Sequence, residues 1–150
     1  VIAGFGRVGQ LVAEVFEAEE IPYIALEQDA HVVAAQRALG RPVYYSHSER
    51  AELLHKLHLE NAAALLVTMD QPQAAMRTVE VARREFPGLP IFARSRDEPH
   101  ARELRAVGAT GVVPETLEAG LQLSAFALQA LALDDHEVAV VLEQERKART

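Results

Sequence analysis

The chain begins with Val1-Ile2-Ala3-Gly4-Phe5-Gly6-Arg7-Val8-Gly9-Gln10, an apolar strand that runs through a glycine pattern into a helix. In the G-x-G-x-x-G spacing, Gly4 permits a tight turn, Gly6 lets the backbone approach a phosphate, and Gly9 lets the helix lie close to the strand. Backbone amides at the start of such a helix, together with its dipole, attract an anion. The pattern therefore predicts a nucleotide site, the alternative being an ordinary strand-to-helix turn.

A second apolar stretch, Tyr23-Ile24-Ala25-Leu26, ends in Glu27. Glu27 follows Gly9 by 18 residues, close to the spacing at which an acidic residue binds ribose hydroxyls in dinucleotide-binding folds. No arginine follows in Glu27-Gln28-Asp29, so the sequence favours NAD(H) or an adenosine nucleotide over NADP. The alternative is an acidic residue that faces only solvent at a strand end.

Composition bounds the class of protein. The 150 residues are 49% hydrophobic, which suits one domain with a buried core. A formal net charge of -7 argues against a nucleic-acid partner, and the lack of cysteine excludes disulfides and thiolate metal sites. No apolar run reaches 18 residues and no signal peptide is recognisable. Because the first residue is not Met and the glycine-turn strand starts at once, we expect a fragment of a longer chain.

Strand and helix patterns alternate along the chain. After the first strand, further strands are predicted at 22–28, 43–45, 64–69, 91–93 and 112–113. Helices are predicted at 7–20, 30–39, 49–57, 72–86 and 98–106, with Asp29, Ser48 and Asp70 as caps of the helices that follow them. This order predicts an α/β fold, a Rossmann-like, doubly wound sheet of six parallel strands with C-terminal helices.

The ligand of such a sheet lies at the carboxyl ends of its strands. Arg7 lies in the glycine turn, and Arg94 and Arg96 follow the fifth strand, where guanidinium groups can bind phosphate or carboxylate. The alternative for these arginines is surface pairing with Asp97 or Glu98. His47 follows the third strand and is expected to touch the nucleotide.

No catalytic or metal site is predicted. His55 and His58 lie three residues apart, but no carboxylate stands at the helical spacing that would complete a metal site. The chain has no G-x-S-x-G, no cysteine and no Ser/His/Asp set that the strand order would bring together. We therefore expect a binding domain and not an enzyme.

The C-terminal part predicts two more helices, at 116–133 and 136–148. The first is apolar on almost every side, and its large apolar residues are Leu117, Leu121, Leu123, Phe126, Leu128, Leu131 and Leu133. Such a helix must be buried on every side. We expect one face on the sheet and the other against a second subunit or a domain outside this sequence, with a second subunit favoured. The alternative is that the final helix covers it.

Four segments in this order resemble one known family. They are Gly4-Phe5-Gly6-Arg7-Val8-Gly9-Gln10, Met69-Asp70-Gln71-Pro72-Gln73, Ala93-Arg94-Ser95-Arg96-Asp97 and Val113-Pro114-Glu115-Thr116-Leu117-Glu118. Together they are similar to the nucleotide-binding domain of Kef-type potassium efflux systems, within the wider group of RCK or TrkA-N domains. The likeness covers Val1 to about Leu133, so we expect a Rossmann-like domain at 1–133 and a C-terminal helix or linker at 134–150.

The resemblance implies a dimeric regulatory domain on the cytoplasmic face of a membrane, joined to a potassium/proton antiporter domain of the same or a partner chain. It implies that NAD(H) or AMP gates potassium efflux and contacts Gly4, Phe5, Gly6, Arg7, Val8, Glu27, Gln28, Ser46, His47, Thr68, Met69 and Asp70, with Gly9 completing the turn. It also implies glutathione as a possible second ligand, for which Arg94 and Arg7 are candidates.

One segment departs from that family. Its members usually carry Gly-Asp-Ala after the third strand, whereas this chain has Ser46-His47-Ser48 and so lacks an acidic residue there. Either His47 replaces that residue or the choice of nucleotide has changed. Two other functions stay open: the cofactor half of an NAD-dependent oxidoreductase, and a free-standing regulatory subunit of a Trk-type potassium uptake system.

Overall fold

Six parallel strands form a single sheet in the order β3-β2-β1-β4-β5-β6 in the computed structural model, which describes residues 1–149. The strands are β1 (Ile2–Ala3), β2 (Ala25–Glu27), β3 (Val43–Tyr45), β4 (Leu65–Val67), β5 (Ile91–Ser95) and β6 (Gly111–Pro114). The helices are α1 (Arg7–Ala18), α2 (Ala30–Ala38), α3 (Ala51–Lys56), α4 (Pro72–Glu85), α5 (Glu98–Ala106), α6 (Glu115–Ala130) and α7 (Asp135–Ala148). The predicted Rossmann-like fold is confirmed.

The chain order reverses next to β1. Ile2 pairs with Ala25 of β2 on one side and with Leu66 of β4 on the other. The connections that leave β1 and β4 therefore diverge to opposite sides at the carboxyl ends of the strands. A crevice opens at this point in doubly wound sheets, and it is the usual position of their ligands.

Apolar side chains lie on both faces of the sheet, as expected for a parallel sheet, although Phe92 of β5 and Val113 of β6 remain exposed. One cluster is built around Leu54, Leu65, Val79, Ile91 and Leu104, all fully buried. The other is built around Ile2, Phe5, Ala13, Ala25 and Val43. These two clusters fix the sheet between its helical layers and hold the strand ends in register.

Two of the three predicted helix caps are wrong. Asp29 does cap α2, because its carboxylate accepts from the amides of His31 and Val32. Ser48 does not cap the next helix, which begins only at Ala51; its buried hydroxyl bonds to that of Thr78 at 3.0 Å. A tertiary partner on α4 has displaced the local backbone partner.

Asp70 also fails as a cap, since Gln71 occupies the N-cap position of α4. The boundaries of several other elements differ from the prediction. α1 ends at Ala18 and β2 covers only Ala25–Glu27, whereas β5 and β6 each extend beyond the predicted ends. The exact limits depend on pairing between strands, which local pattern does not encode.

α6 and α7 pack against each other at the end of the chain. Nε and Nη2 of Arg146 donate to the two oxygens of the Glu118 carboxylate, at 2.9 and 3.0 Å. Val138 of α7 is buried. The α7 helix nevertheless covers only one side of α6. Large apolar side chains remain exposed, namely Leu123 and Phe126 of α6 and Leu131 directly after it. Among residues 1–149, no helix is long and apolar enough to cross a bilayer.

Candidate functional site

A cleft of about 850 Å³ lies at the carboxyl ends of the strands. It is lined by segments that follow β1, β2, β3 and β4, by Arg94 of β5, and by Glu115, which follows β6 at the start of α6. Twelve of the predicted site residues line it: Gly4, Gly6, Arg7, Val8, Glu27, Gln28, Ser46, His47, Thr68, Met69, Asp70 and Arg94. The structure thus brings most of the predicted set to one place.

The glycine turn forms the floor of the cleft, and its glycines differ in what surrounds them. Gly4 has φ of +106°, a conformation that L side chains rarely adopt. A Cβ on Gly9 would overlap with the Gly4 carbonyl oxygen, so only glycine lets α1 lie this close to β1. A Cβ on Gly6 would meet no atom within 4 Å, and Gly6 faces the open cleft.

Phe5 and Gly9 do not line the cleft. The Phe5 ring is fully buried and stacks on Tyr23 with ring centroids 6.3 Å apart. Gly9 is buried where α1 crosses β1. Both residues shape the turn from behind, so any contact that Phe5 makes with a ligand would come from its backbone.

Thr68 fixes the glycine turn from the neighbouring strand end. Its buried hydroxyl donates to the Gly4 carbonyl oxygen at 2.6 Å and lies 3.3 Å from that of Ala3. The hydroxyl is thereby directed at the turn, and Thr68 acts as a support in addition to lining the cleft.

Glu27 is held by backbone donors. Its Oε1 accepts from the Phe5 amide at 3.1 Å, and its Oε2 accepts from the Asp29 amide at 2.8 Å. A carboxylate has about four lone-pair positions, so each oxygen can accept one further hydrogen bond. Glu27 is therefore oriented beside the glycine turn with free capacity for a pair of hydroxyl donors.

The segment after β3 contributes fewer polar groups than its sequence suggests. The Ser48 hydroxyl is engaged by Thr78, whereas Ser46 and His47 line the cleft. The His47 ring lies edge-on to Tyr45, with centroids 6.2 Å apart. Of these side chains, Ser46 and His47 are the ones placed to contact a ligand.

Arg94 pairs with a residue that the sequence did not suggest. Its Nε lies 2.7 Å from Oε1 of Glu115, and both side chains line the cleft. The expected partners are engaged elsewhere, because Asp97 caps α5 and Glu98 binds Arg105 at 3.2 Å. Arg96 is absent from the cleft lining.

Acidic groups outnumber basic ones around the cleft. The acidic lining residues are Glu27, Asp29, Glu49, Asp70 and Glu115, against Arg7 and Arg94. Glu115 was missed as a lining residue, although it comes soon after the predicted sixth strand. Its pairing with Arg94 depends on the register of β5 with β6, in which Arg94 lies opposite Val113. Among residues 1–149, no group of three or more His, Cys, Asp and Glu side chains is arranged to hold a metal ion.

Residues 1–115 match the model of the TrkA-N domain family. The chain belongs to the TrkA-N domain family. This TrkA-N domain is 40% identical over 146 residues to a protein of Alkalimonas amylolytica named as the K(+) efflux antiporter KefB. That alignment covers 97% of this chain but 22% of the relative, so the domain spans about a fifth of the relative's length.

Two solved structures are similar to this domain. The Kef C-terminal domain of Shewanella denitrificans in its AMP-bound form has a TM-score of 0.82 and 27% identity, covering 98% of this TrkA-N domain and 90% of that chain. The GsuK channel bound to NAD has a TM-score of 0.75 at 20% identity, over 81% of this domain and 22% of that chain. The second likeness shows the fold alone.

Proposed function

We propose that this TrkA-N domain is a ligand-sensing regulatory domain of a potassium efflux antiporter, in which AMP or NAD(H) occupies the cleft and biases transport. The observation that carries the proposal is the glycine turn, whose open Gly6 faces a cleft flanked by a pre-oriented Glu27. A ligand shifts such an equilibrium only by its difference in affinity for the two states, typically about 1–3 kcal/mol.

The chemistry of the lining supports an adenosine phosphate. The backbone at Gly6 and the guanidinium of Arg7 suit a phosphate, and the Glu27 carboxylate suits the two hydroxyls of a ribose. The same carboxylate would repel a 2′-phosphate, which disfavours NADP. AMP is the first choice because the similar Kef C-terminal domain is an AMP-bound form, and NAD(H) is the second.

The relatives suggest the setting in which the domain works. Since it is similar to part of a potassium efflux antiporter, we place it on the cytoplasmic face of a membrane, attached to such an antiporter. The exposed apolar side chains of Leu123, Phe126 and Leu131 favour a homodimer formed through α6 and its C-terminal end. We divide the chain into a ligand-binding unit at 1–133 and a C-terminal helix or linker at 134–150.

The domain acts in this proposal without catalysis. Its cleft presents backbone amides, carboxylates and two arginines, a set suited to holding a nucleotide. Glutathione stays a candidate second ligand through Arg94 and Arg7, since its carboxylates would suit guanidinium groups.

A thermal-shift panel with NAD+, NADH, NADPH, AMP, ATP and glutathione tests the proposal. AMP and NAD(H) are expected to raise the melting temperature, and stabilisation by NADPH alone would overturn the role given to Glu27. Gly6→Val should remove the shift while the domain stays folded, because the new side chain projects into open space. Gly88→Val, at another open position outside the cleft, is the control and should keep the shift.

A further inference from the structure

The ion pair between Arg94 and Glu115 lies at the edge of the cleft and joins two parts of the fold. Arg94 is on β5, and Glu115 is the first residue of α6. Their side chains are 21% and 45% exposed, and both line the cleft. A ligand in the cleft therefore reaches a guanidinium group that already holds a carboxylate.

We infer that Glu115 competes with the ligand's phosphate for Arg94, so that a phosphate-bearing ligand binds by displacing this carboxylate. The inference rests on the proposed nucleotide site and adds a regulatory residue to it. Arg7 and Arg94 are the two arginines among the residues that line the cleft. A phosphate carries more charge than a carboxylate and offers the same paired acceptor geometry, so it can replace Glu115 on the guanidinium fork.

Glu115 can release Arg94 without unfolding the helix. Its position in the first turn of α6 places the carboxylate near the unpaired amides and the positive end of the helix dipole. The carboxylate remains stabilised there after Arg94 has turned to the phosphate. Arg94 can thus exchange the Glu115 carboxylate for a phosphate. This exchange removes the ion pair that joins the start of α6 to β5.

The structure offers a matched control pair. Glu98 is the first residue of α5, just as Glu115 is the first of α6, and it accepts from Arg105 at 3.2 Å. The side chains of Glu98 and Arg105 are 32% and 29% exposed, and neither lines the cleft. Glu98→Gln therefore removes an equivalent helix-start carboxylate from an equivalent ion pair away from the ligand.

Isothermal titration calorimetry with AMP and with adenosine tests the inference on the 150-residue chain. Glu115→Gln should tighten AMP binding about five- to tenfold, the scale of one typical net hydrogen bond, and leave adenosine binding unchanged. Arg94→Gln should weaken AMP binding by a similar factor. Glu98→Gln should change neither affinity.

The double variant separates competition from simple charge repulsion. If Glu115 acts by occupying Arg94, the gain from Glu115→Gln disappears in the Arg94→Gln background. An equal gain in both backgrounds would show that the carboxylate only repels the phosphate, and would overturn the inference. An equal change for adenosine would overturn it as well. If the unaltered chain binds NAD+ but not AMP, the same variants are titrated with NAD+; if it binds neither nucleotide, the proposed function itself fails.

Discussion

The Thr68 hydroxyl donates to the carbonyl oxygen of Gly4 across the point at which the chain order of the sheet reverses. The bond is 2.6 Å long and joins residues 64 positions apart in the sequence. It couples the end of β4 to the turn after β1. The shape of the predicted phosphate site therefore depends on a side chain from a different strand.

Thr68→Val is expected to lower both stability and nucleotide affinity. The replacement keeps the shape of the side chain but leaves the Gly4 carbonyl without this donor, at a cost of about 1–3 kcal/mol in the free energy of unfolding. Urea denaturation and AMP titration measure the two effects. Thr110→Val is the control, because Thr110 bonds to the Ile91 amide and Arg83 outside the cleft; it should leave AMP affinity intact.

Substitution of alanine for two helical glycines should change the free energy of unfolding in opposite directions. At Gly9 the new Cβ would overlap with the Gly4 carbonyl oxygen, and forcing backbone apart typically costs about 1–3 kcal/mol or more. At Gly120, in the middle of α6, a Cβ meets no atom within 4 Å. Gly120→Ala should therefore stabilise the domain by about 0.5–1 kcal/mol through helix propensity. Chemical denaturation of both variants measures this, and equal effects would contradict the close contact of α1 and β1.

A cluster formed by Tyr23, Glu17 and Arg41 gives a prediction about pH. The Tyr23 hydroxyl donates to Glu17 at 2.6 Å and Arg41 Nε donates to the same oxygen at 3.0 Å. The hydrogen bond from Tyr23, helped by Arg41, lowers the pKa of Glu17 below its ordinary 4.5. Burial and the bond to Glu17 raise the pKa of Tyr23 from 10.0 to about 12.

The directions of these two pKa shifts determine how the stability of the domain should depend on pH. The ionised Glu17 is favoured in the folded state, so its contribution is present above pH 4.5 and is lost as the pH falls further. The neutral Tyr23 is favoured in the folded state, so its contribution is present below pH 10 and is lost as the pH rises towards 12. Tyr23→Phe should weaken the dependence of the free energy of unfolding on pH at both the acidic and the alkaline end, as measured by urea denaturation. Tyr44→Phe, at an exposed tyrosine, should not. Identical profiles for Tyr23→Phe and the unaltered chain would contradict the cluster.

The proposed boundary at Leu133 predicts that α7 can be removed. Deleting residues 134–150 takes away Val138 and the forked contact from Arg146 to Glu118, but no strand. The circular dichroism spectrum of the shortened chain should lose only the helical signal of α7. The shortened chain should keep its AMP-induced thermal shift but melt at a lower temperature. Arg146→Ala, which removes the contacts of Arg146 with Glu118 and Glu143 but keeps α7, should have a melting temperature between those of the unaltered and the shortened chains. Loss of the sheet signal in the shortened chain would place α7 inside the domain.

The sequence was most informative where a single local rule decides the outcome. Alternating strand and helix patterns predicted the topology, and the rule that ligands lie at strand ends predicted which segments meet in the cleft. Asp29 caps its helix as its side-chain chemistry predicts. Ser48 has the same local capacity, yet its hydroxyl binds Thr78, a residue 30 positions away that local reasoning does not bring near.

The role of Glu115 was out of reach for the same reason. As an acidic residue at a helix start, it has a sufficient local explanation, and nothing in its neighbourhood points to Arg94. Their contact follows from the pairing of β5 with β6, which places Arg94 opposite Val113. Site residues at the end of a single predicted strand could be predicted. The contact between Arg94 and Glu115, which requires two strands to pair, could not.

The central position of β1 has a consequence for how the domain is made. Its partners on either side are residues 25–26 and residues 66–67, so β1 gains both neighbours only once synthesis has reached residue 67. Pairing over such distances in sequence is slow, and an unpaired apolar strand is prone to aggregate. Nascent chains of this domain should therefore depend on chaperones until β4 emerges.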